Sequence, residues 1–284
     1  RASKVILTQI LYMTKISSEL FNLSGKVIVV TGGTGLLGSV YCEAFSRFGA
    51  NVVVADLSES NPKKLSKKIN DFCKAKSIGI DCDVTIEKDV INLFAVTLNK
   101  FGKVDAIVNN AAATGEHLMR KGKVFSDFEE YPLAVWEEVM KVNLTGSFLV
   151  AREGGKAMLL SDKGGSIVNV SSTYGVVGPD HQIYNNMKFK SFPAYSASKA
   201  GIHGLTRWLA TYWGDKGIRV NTLVPGGVEN KHDPEFIRRY SNKTPLGRMA
   251  QREDMIGMAV YLVSDASLYA TGQQYFVDGG WTAI

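Results

Sequence analysis

The feature that most constrains the fold of this chain is a glycine-rich turn between a short apolar strand and a helix. Val27–Thr31 is a run of β-branched residues, typical of a strand buried in a parallel sheet. Gly33, Gly35 and Gly38 follow with the spacing G-x-G-x-x-G, then a helical pattern, then a second apolar strand, Asn51–Asp56. Glycines at this spacing let backbone amides approach a pyrophosphate at the positive end of a helix. The turn predicts a dinucleotide site; the alternative is a plain glycine-rich strand–helix connection.

The acidic residue that ends the second strand indicates which dinucleotide to expect. There, Asp56 can accept hydrogen bonds from the adenosine ribose hydroxyls, and its charge would repel a 2′-phosphate. Leu57 supplies no compensating cation, and Gly35 leaves no basic side chain inside the turn. We therefore expect NAD, with NADP the less favoured cofactor. The alternative is that Asp56 only caps the next turn.

Strand and helix patterns alternate along the rest of the chain. After the first two strands we predict a helix over 61–76, a strand over 77–83, a helix over 85–102, a strand over 104–112, a loop over 113–131, a helix over 132–160, a strand over 166–172, a helix from Tyr195, a strand over 217–224, a helix over 251–264 and a strand over 274–277. This alternation predicts an α/β fold, a single-domain Rossmann-type doubly wound parallel sheet of about seven strands with helices on both faces.

Ligands of such sheets bind across the carboxyl ends of the strands. The glycine-rich turn, Asp56, Asp83, Asn110, Ser172 and Pro225 all follow predicted strands, so we expect them to lie at one edge of the sheet. We expect residues 24–284 to form this one domain and residues 1–23 to be an N-terminal extension. Met13 resembles a natural start, so residues 1–12 are expected to be non-native and to contribute nothing to the fold.

Composition excludes several other functions. The net charge of +6 comes from scattered lysines and arginines, which does not indicate nucleic-acid binding. No apolar run approaches the length of a membrane span. The three cysteines lack metal-ligand spacing and fit reduced thiols in a cytoplasm, and the four dispersed histidines make a zinc site unexpected. We expect a cytoplasmic protein that has no metal and binds neither nucleic acid nor membrane.

A tyrosine and a lysine four residues apart indicate proton-transfer chemistry. Tyr195 and Lys199 would stack on one face of a helix. A free phenol has a pKa of about 10, so acting as a base near neutral pH costs roughly 4 kcal/mol. A cation about 4 Å away is worth about that much at an effective dielectric constant of about 20. The pair could therefore exchange a proton near neutral pH; the alternative is an incidental pair on a surface helix.

Seven stretches, taken together and in order, resemble the short-chain dehydrogenase/reductase family, in its single-domain branch, over roughly residues 24–284. They are Thr31-Gly-Gly-Thr-Gly-Leu-Leu-Gly38, Asp83-Val84, Asn109-Asn-Ala-Ala112, Asn143-Leu-Thr-Gly146, Ser171-Ser172, Tyr195-Ser-Ala-Ser-Lys199 and Pro225-Gly226. The resemblance implies hydride transfer between NAD(H) and a hydroxyl or carbonyl carbon of a small molecule.

The same resemblance implies roles for individual residues. Tyr195 would be the general acid/base, Ser172 would bind the substrate oxygen, Lys199 would lower the Tyr195 pKa and hold the nicotinamide ribose, and Asn143 would anchor a water in a proton relay. The implied cofactor-binding residues are Gly32, Thr34, Gly35, Leu36, Leu37, Gly38, Asp56, Leu57, Asp83, Val84, Asn110, Ala111, Ala112, Tyr195, Lys199, Pro225, Gly226 and Val228.

Three departures from the family pattern stand out. Leu36 replaces the usual second glycine of T-G-x-x-x-G-x-G, and Ala112 replaces the glycine of Asn-Asn-Ala-Gly. Ser172 and Tyr195 are 23 positions apart, about ten more than the family norm. The first departure leaves the local geometry of phosphate binding open, and the third predicts that residues 173–192 are an insertion at the rim of the active site.

The insertion contains a second tyrosine–lysine pair, Tyr184 and Lys188, which lies 12 positions from Ser172 and therefore competes for the catalytic role. Asn185 and Asn186 between the two are poor helix residues, and no apolar period continues beyond the pair. A helical pattern does continue beyond Lys199. We therefore assign the proton transfer to Tyr195 rather than Tyr184.

Three loops are expected to surround the substrate: residues 113–131, 173–192 and 226–250. Their cations exceed their acids, which favours a polar, anionic, hydroxylated substrate such as a sugar phosphate or nucleotide sugar; the alternative is a solvated loop surface. The cations are His117, Arg120, Lys121, Lys123, His181, Lys188, Lys190, Arg238, Arg239, Lys243 and Arg248.

The insertion and the C-terminal Val277-Asp-Gly-Gly-Trp-Thr-Ala resemble the flagellin modification protein A subgroup, which implies a sugar substrate in surface-glycan synthesis. Two alternatives stay open: an NADP-linked 3-oxoacyl carrier-protein reductase, and a non-catalytic NAD-binding regulator. The resemblance also implies a homodimer or homotetramer, and the apolar ending from Trp281 to Ile284 suits burial against a partner.

Overall fold

A seven-stranded parallel sheet forms the centre of the molecule, as predicted. The computed structural model describes residues 19–120, 127–161, 163–187 and 189–284. The strands follow the order β3-β2-β1-β4-β5-β6-β7, and every pair is parallel. They are β1 Val27–Thr31, β2 Asn51–Asp56, β3 Ser77–Asp81, β4 Ala106–Asn109, β5 Gly165–Val170, β6 Ile218–Pro225 and β7 Gln274–Val277.

Nine α-helices of the described residues connect and cover these strands. They are α1 Leu36–Arg47, α2 Pro62–Phe72, α3 Glu87–Phe101, α4 Gly115–Arg120, α5 Leu133–Met140, α6 Ser147–Met158, α7 Pro193–Trp213, α8 Pro234–Lys243 and α9 Ile256–Val263. A π-helical segment, Lys141–Gly146, joins α5 to α6. Across the described ranges, none of these helices is both long and apolar enough to cross a membrane.

The sheet is buried on both faces, which is why its strands are continuously apolar rather than alternating. All five residues of β1 are buried. Val29 packs with α3, α6 and α7 in one apolar cluster, and Val30 packs with α1 and α9 in another on the opposite face. These two layers hold the carboxyl ends of the strands at one edge of the sheet, where β1, β4, β5 and β6 lie side by side.

Several predicted boundaries are wrong for identifiable reasons. The helix expected to reach residue 76 ends at Phe72, because the Asn70 side chain bonds both the N–H (2.7 Å) and the C=O (2.9 Å) of Ser77 and turns the chain back. The strand expected over 77–83 stops at Asp81. The helix expected over 132–160 is interrupted by the π-helical segment.

Two of the expected loops contain helices. The 113–131 segment contains α4, and the 226–250 segment contains α8, whose N-terminus is capped by Asp233 accepting from the N–H of Glu235 at 2.8 Å. At the other end of the chain, Leu23 is completely buried and the Leu20 carbonyl accepts a hydrogen bond from the N–H of Ala266. The residues just before position 24 therefore pack on the domain; the prediction for residues 1–12 lies outside the described residues.

Candidate active site

The glycine-rich turn after β1 is packed too tightly for side chains at three of its glycines. Gly32 has a φ of +60°, and a Cβ there would lie 2.8 Å from the Ala111 Cα. A Cβ on Gly33 would lie 2.8 Å from Val54, and one on Gly38 only 2.0 Å from the Gly32 carbonyl oxygen. Gly35 is exposed and less restricted, its Cβ meeting only that oxygen at 3.2 Å. The turn is thus fixed by close approach of its own backbone.

Helix α1 begins at this turn with an uncapped N-terminus. Its N-cap residue is Gly35, which has no side chain to accept from the amides of the first turn. Leu36 and Leu37 start the helix and line a large cleft. Backbone N–H groups left open at a helix N-terminus form an anion site, so the turn fits a pyrophosphate although Leu36 replaces the expected glycine.

The carboxylate of Asp56 is held in place by the same turn. Thr34 donates to it twice, from its N–H at 2.9 Å and its hydroxyl at 2.6 Å, and the N–H of Leu57 donates at 2.8 Å. A carboxylate accepts about four hydrogen bonds, so at least one acceptor position remains for a ribose hydroxyl. The bond between Thr34 and Asp56 was not expected from the sequence.

The two asparagines at the end of β4 make different contacts: Asn109 is its last residue and Asn110 follows it. Asn110 donates to the carbonyls of Thr31 and Gly32 at 3.1 and 3.0 Å, which fixes the glycine-rich turn from the neighbouring strand. Asn109 is buried and donates to Asn169 at 2.8 Å and to the Ser147 carbonyl at 3.2 Å. Asn110 therefore shapes the cleft as well as lining it, whereas Asn109 joins strands and helix beneath it.

Tyr195 and Lys199 occupy the first two turns of α7, as their spacing predicts. Lys199 is buried, its ammonium donates to the Val170 carbonyl at 2.8 Å, and its Nζ lies 5.8 Å from the centroid of the Tyr195 ring. The side chain of Ser172 lies near the Tyr195 phenol and acts to lower its pKa. The structure thus brings Ser172, Tyr195 and Lys199 together at the carboxyl end of β5.

Burial is the main cause of the pKa shifts of Tyr195 and Lys199. It raises the pKa of the Tyr195 phenol, with a smaller opposing contribution from Ser172. It lowers the pKa of Lys199 to about 8. The Lys199 ammonium donates to a main-chain carbonyl and not to the phenol, so the lowering of the Tyr195 pKa by Lys199 stays a prediction.

Asn143 lies in the π-helical segment and contacts α7. Its side-chain oxygen accepts from the Ala113 N–H at 2.7 Å, and its amide donates to the Ser198 hydroxyl at 3.0 Å. Ser198 in turn donates to the Tyr195 carbonyl at 2.8 Å. Asn143 does not line the cleft, so this contact with the first turn of α7 is its link to Tyr195. π-Helical segments are frequent at functional sites.

A buried serine–histidine contact beneath Lys199 was missed by the sequence analysis. The Ser171 hydroxyl donates to the Lys199 carbonyl at 2.8 Å and lies 3.0 Å from His203 Nε2. Because Ser171 uses its proton on that carbonyl, the imidazole Nε2–H is the donor to Ser171. Burial, with Arg207 and Lys199 adding to it, lowers the pKa of His203 to about 4. The available signal was the spacing of four between Lys199 and His203.

Tyr184, the competing tyrosine of the insertion, does not lie on an α-helix. It ends a short 3-10 turn, His181–Tyr184, and Asn186 beyond it has a φ of +64°. Its phenol lies 2.9 Å from the phenol of Tyr174. Lys188 itself falls outside the described residues. The two asparagines break the helix there, which is the reason given for preferring Tyr195.

Five of the cations expected to surround the substrate form ion pairs, and two of the five share one carboxylate. Lys190 pairs with Asp127, Arg238 and Arg239 pair with Glu235, Lys243 pairs with Asp180, and Arg248 pairs with Asp254. Lys121, Lys123 and Lys188 lie outside the described residues, as do the side chains of His117 and Arg120. These ion pairs reduce the free positive charge that the sequence indicated around the site, and the anionic substrate stays a prediction.

One cleft of about 1990 Å³ contains both the glycine-rich turn and the Tyr195–Lys199 pair. Its walls include almost all of the predicted cofactor-binding residues. Gly38 is the exception: it packs under the turn against the Gly32 carbonyl, because it lies one helical turn inside α1. The lining predicted residues are Gly32, Thr34, Gly35, Leu36, Leu37, Asp56, Leu57, Asp83, Val84, Asn110, Ala111, Ala112, Tyr195, Lys199, Pro225, Gly226 and Val228.

The far end of the cleft is aromatic. Tyr184 packs against Phe236 and Phe189 with ring centroids 5.3 and 5.7 Å apart, and all three side chains line the cleft. Tyr240 stacks on Trp281 and its phenol accepts from the Gly227 N–H at 2.6 Å. Over the described residues, no cluster of three or more potential metal ligands is present.

The chain is similar to known proteins over most of its length. A protein-family model described as enoyl-(acyl carrier protein) reductase matches residues 36–282. The chain is 31% identical to a 3-oxoacyl-(acyl-carrier-protein) reductase of Aquifex aeolicus, covering 91% of this chain and 98% of that one. It is 35% identical to a 2,5-dichloro-2,5-cyclohexadiene-1,4-diol dehydrogenase of Sphingobium indicum, covering 93% and 99%. The solved gluconate 5-dehydrogenase of Burkholderia cenocepacia, in complex with NADP and tartrate, matches with a TM-score of 0.83 at 26% identity, covering 94% and 99%.

Proposed function

Because the chain belongs to the short-chain dehydrogenase/reductase family of oxidoreductases, we propose that it transfers a hydride between NAD(H) and a hydroxyl or carbonyl carbon of a small hydroxylated molecule. The observation that carries the proposal is that Ser172, Tyr195 and the buried Lys199 line the same cleft as the glycine-rich turn. The reaction needs both parts of the cleft, because the proton donor Tyr195 must lie close to a hydride donor bound at the glycine-rich turn.

The cleft fits a dinucleotide. The open amides at the start of α1 would take the pyrophosphate, and Asp56 would accept from the adenosine ribose. Asp83, Val84, Asn110, Ala111 and Val228 line the path between them and the Tyr195–Lys199 pair. When bound, the nicotinamide ring supplies or accepts the hydride at its C4 position.

NAD is the proposed cofactor, with NADP as the alternative. A 2′-phosphate would place negative charge beside the Asp56 carboxylate, and Leu57 next to it offers no cation. The solved gluconate 5-dehydrogenase with NADP favours the alternative. Replacement of Asp56 by alanine is expected to raise the ratio of kcat/KM with NADP to kcat/KM with NAD, because it removes the repulsion.

Within the site, this chain's residues position the substrate and move one proton. Ser172 and Tyr195 would both hydrogen-bond the substrate oxygen. Tyr195 donates its phenolic proton to that oxygen in reduction and accepts it back in oxidation. A raised pKa of Tyr195 keeps the phenol protonated at neutral pH, which suits the reduction direction. Lys199 would hold the nicotinamide ribose, and Asn143 positions the first turn of α7 through Ser198.

The proposed substrate is a polar, hydroxylated ring compound. The sugar or sugar nucleotide of a surface-glycan or flagellin modification route fits this class, as does the cyclohexadiene diol of the Sphingobium indicum relative. The aromatic lining contributed by Phe189 and Phe236 suits the apolar face of such a ring.

A 3-oxoacyl carrier-protein reductase is the second candidate. The Aquifex aeolicus relative and the description of the family model favour it. The polar insertion and Asp56 count against it. A non-catalytic NAD-binding regulator is a weaker candidate, because Asn143, Ser172, Tyr195 and Lys199 are all present.

We further propose that the protein is cytoplasmic and forms a homodimer or homotetramer. β7 lies at the edge of the sheet, and near it Phe276 and Ile284 expose apolar surface that a second copy would cover. A single monomeric mass by light scattering at micromolar concentration would refute the oligomer.

The test of function is an absorbance assay of NADH and NADPH formation and oxidation. The substrates are a panel of ring alcohols, keto-sugars and acetoacetyl thioesters, each with the wild type and with Tyr195→Phe. Turnover of a ring alcohol or keto-sugar with NAD(H), lost in the variant, supports the proposal. Turnover of the thioester with NADPH alone supports the reductase candidate, and tight NADH binding without turnover of any substrate supports the regulator.

A further inference from the structure

Tyr184 and Tyr174 form a phenol pair at the substrate end of the cleft that the proposed mechanism does not use. Their hydroxyl oxygens are 2.9 Å apart, and both side chains line the cleft. Burial raises the pKa of each, and negative charge on Tyr195 adds a smaller contribution, so both lie within electrostatic reach of the proton-transferring phenol. The pair therefore faces the same space in which the substrate oxygen would be held.

The pair has hydrogen-bonding capacity left over. Each phenol carries one donor and can also accept, and the contact between them consumes one of the two protons. One O–H and at least one acceptor position stay available for a third group. A substrate hydroxyl both donates and accepts, so it would match what the pair leaves open. A hydrocarbon group at the same position would leave the O–H unpaired, which costs binding free energy.

Both phenols are held in place before any substrate arrives. The N–H of Tyr174 donates to the Ser172 hydroxyl oxygen at 3.2 Å, which ties this tyrosine to the catalytic serine. The Tyr184 ring packs against Phe189 and Phe236, which also contact each other. A side chain already fixed in its bound position loses little entropy on binding.

Two side chains of α8 bind the segment that carries Tyr184. Arg239 donates to the Asn185 carbonyl at 2.7 Å, and Lys243 forms an ion pair with Asp180 at the start of the same turn. These contacts fix the insertion from both sides of Tyr184. The insertion therefore forms a wall of the site and not a free loop.

We propose that Tyr174 and Tyr184 bind a second hydroxyl of the substrate, which restricts the preferred substrates to ring compounds with at least two hydroxyl or carbonyl oxygens. This rests on the proposed function, since the first oxygen is the one held by Ser172 and Tyr195. The aromatic faces of Phe189 and Phe236 take the carbon face of the ring.

The test compares cyclohexanol with the isomeric 1,2-, 1,3- and 1,4-cyclohexanediols as substrates, with NAD saturating. The compounds differ only in the second hydroxyl. For the wild type, kcat/KM for the best diol is expected to exceed that for cyclohexanol by at least about tenfold. Tyr184→Phe keeps the ring that packs on Phe189 and Phe236, and it is expected to reduce this preference about tenfold.

Three further measurements separate recognition from a general structural defect. Tyr174→Phe should cause a similar loss of preference, and the double variant should lose little more, because both changes destroy one shared site. Tyr269→Phe, at a fully exposed tyrosine, is the matched control and should keep the diol preference. NADH affinity, titrated by fluorescence, should be equal in all of these variants and the wild type.

The inference is overturned if the wild type does not prefer any diol to cyclohexanol, or if Tyr184→Phe retains the preference. Calorimetric binding of the diols to the NADH complex decides the matter independently of turnover. Diols that bind, and bind more weakly to Tyr184→Phe, support the site even if the proposed oxidation fails. Diols that do not bind, or bind equally to both proteins, overturn it.

Discussion

The two ends of the cleft are built from different parts of the chain. At the cofactor end, main-chain groups form the surface: Gly32 and Gly38 approach other backbone too closely for any side chain, and Asn110 bonds two carbonyls of the turn. At the substrate end, side chains form the surface. Tyr184 packs against the Phe236 ring, and Arg239 bonds the Asn185 carbonyl and pairs with Glu235. A main-chain surface changes little with sequence, whereas a side-chain surface is set residue by residue. The first end therefore suits a ligand shared by a family, and the second a substrate particular to one member.

The largest contrast in activity is expected between removing the phenol of Tyr195 and removing that of Tyr184. Tyr195→Phe should lower kcat roughly a hundredfold to ten-thousandfold, because it removes the group that carries the proton. Tyr184→Phe should lower kcat/KM only about tenfold, through one hydrogen bond. Steady-state kinetics with a ring diol and NAD measures both. If Tyr184→Phe is the inactive variant, the proton transfer belongs to the insertion.

A methyl group in the glycine-rich turn tests the main-chain end. Gly38→Ala places a Cβ 2.0 Å from the Gly32 carbonyl oxygen, which only a backbone shift can relieve. We expect a loss of roughly 1–3 kcal/mol in the free energy of unfolding, together with weaker NADH binding. Urea unfolding and NADH fluorescence titration measure these effects.

Gly35→Ala is the matched control in the same turn, since its Cβ would lie 3.2 Å from that oxygen and the residue is exposed. It should unfold at nearly the wild-type urea concentration. Equal losses in the two variants would mean that close backbone approach is not what shapes the cofactor end.

His203 is buried beneath Lys199, and its titration should make stability depend on pH. Its pKa is about 4 in the folded protein because of burial and the nearby Arg207 and Lys199, against about 6.5 in an unfolded chain. Stability is therefore full above about pH 6.5 and falls as the pH drops towards 4, because only the unfolded chain takes up the proton. We expect a loss of about 2 kcal/mol between about pH 7 and about pH 5.

Urea unfolding of the wild type and of His203→Gln at several pH values checks this. The variant should have a flatter stability profile over that range, whereas His181→Gln, at an exposed histidine, should follow the wild type. A wild-type profile that is already flat between these pH values would contradict the prediction.

The smallest effect on activity is expected from removing the contact between Arg239 and the insertion. Arg239→Ala removes the donor to the Asn185 carbonyl and should raise KM for a ring diol roughly three- to tenfold, with NADH affinity unchanged. Arg238→Ala removes the same charge from the same helix but no contact to the insertion, because Arg238 bonds only Glu235 among its described partners. A change in NADH affinity in Arg239→Ala would show that the two ends are not separable.

Local patterns were sufficient where neighbouring residues decide the outcome. The parallel sheet of about seven strands was predicted from strand–helix alternation, and the choice of Tyr195 over Tyr184 as the helical tyrosine followed from two asparagines that disfavour a helix after Tyr184. Patterns were insufficient where the partner is distant in sequence. Cations counted around the site were paired with acids such as Glu235 and Asp180, and counting cannot reveal pairing. The same limit hid the contacts of Ser171 with Lys199 and His203.

The sequence alone determined the sheet, the glycine-rich turn and the Tyr195–Lys199 spacing, because hydrophobic period, backbone freedom and helical geometry act over a few residues. Only the tertiary structure decided that burial is the main cause of the pKa shift of Tyr195. It also decided that the insertion folds against α8 and presents Tyr184 beside Tyr174. Solvent exclusion and long-range contacts depend on how the whole chain closes around a site, which no short stretch of it encodes.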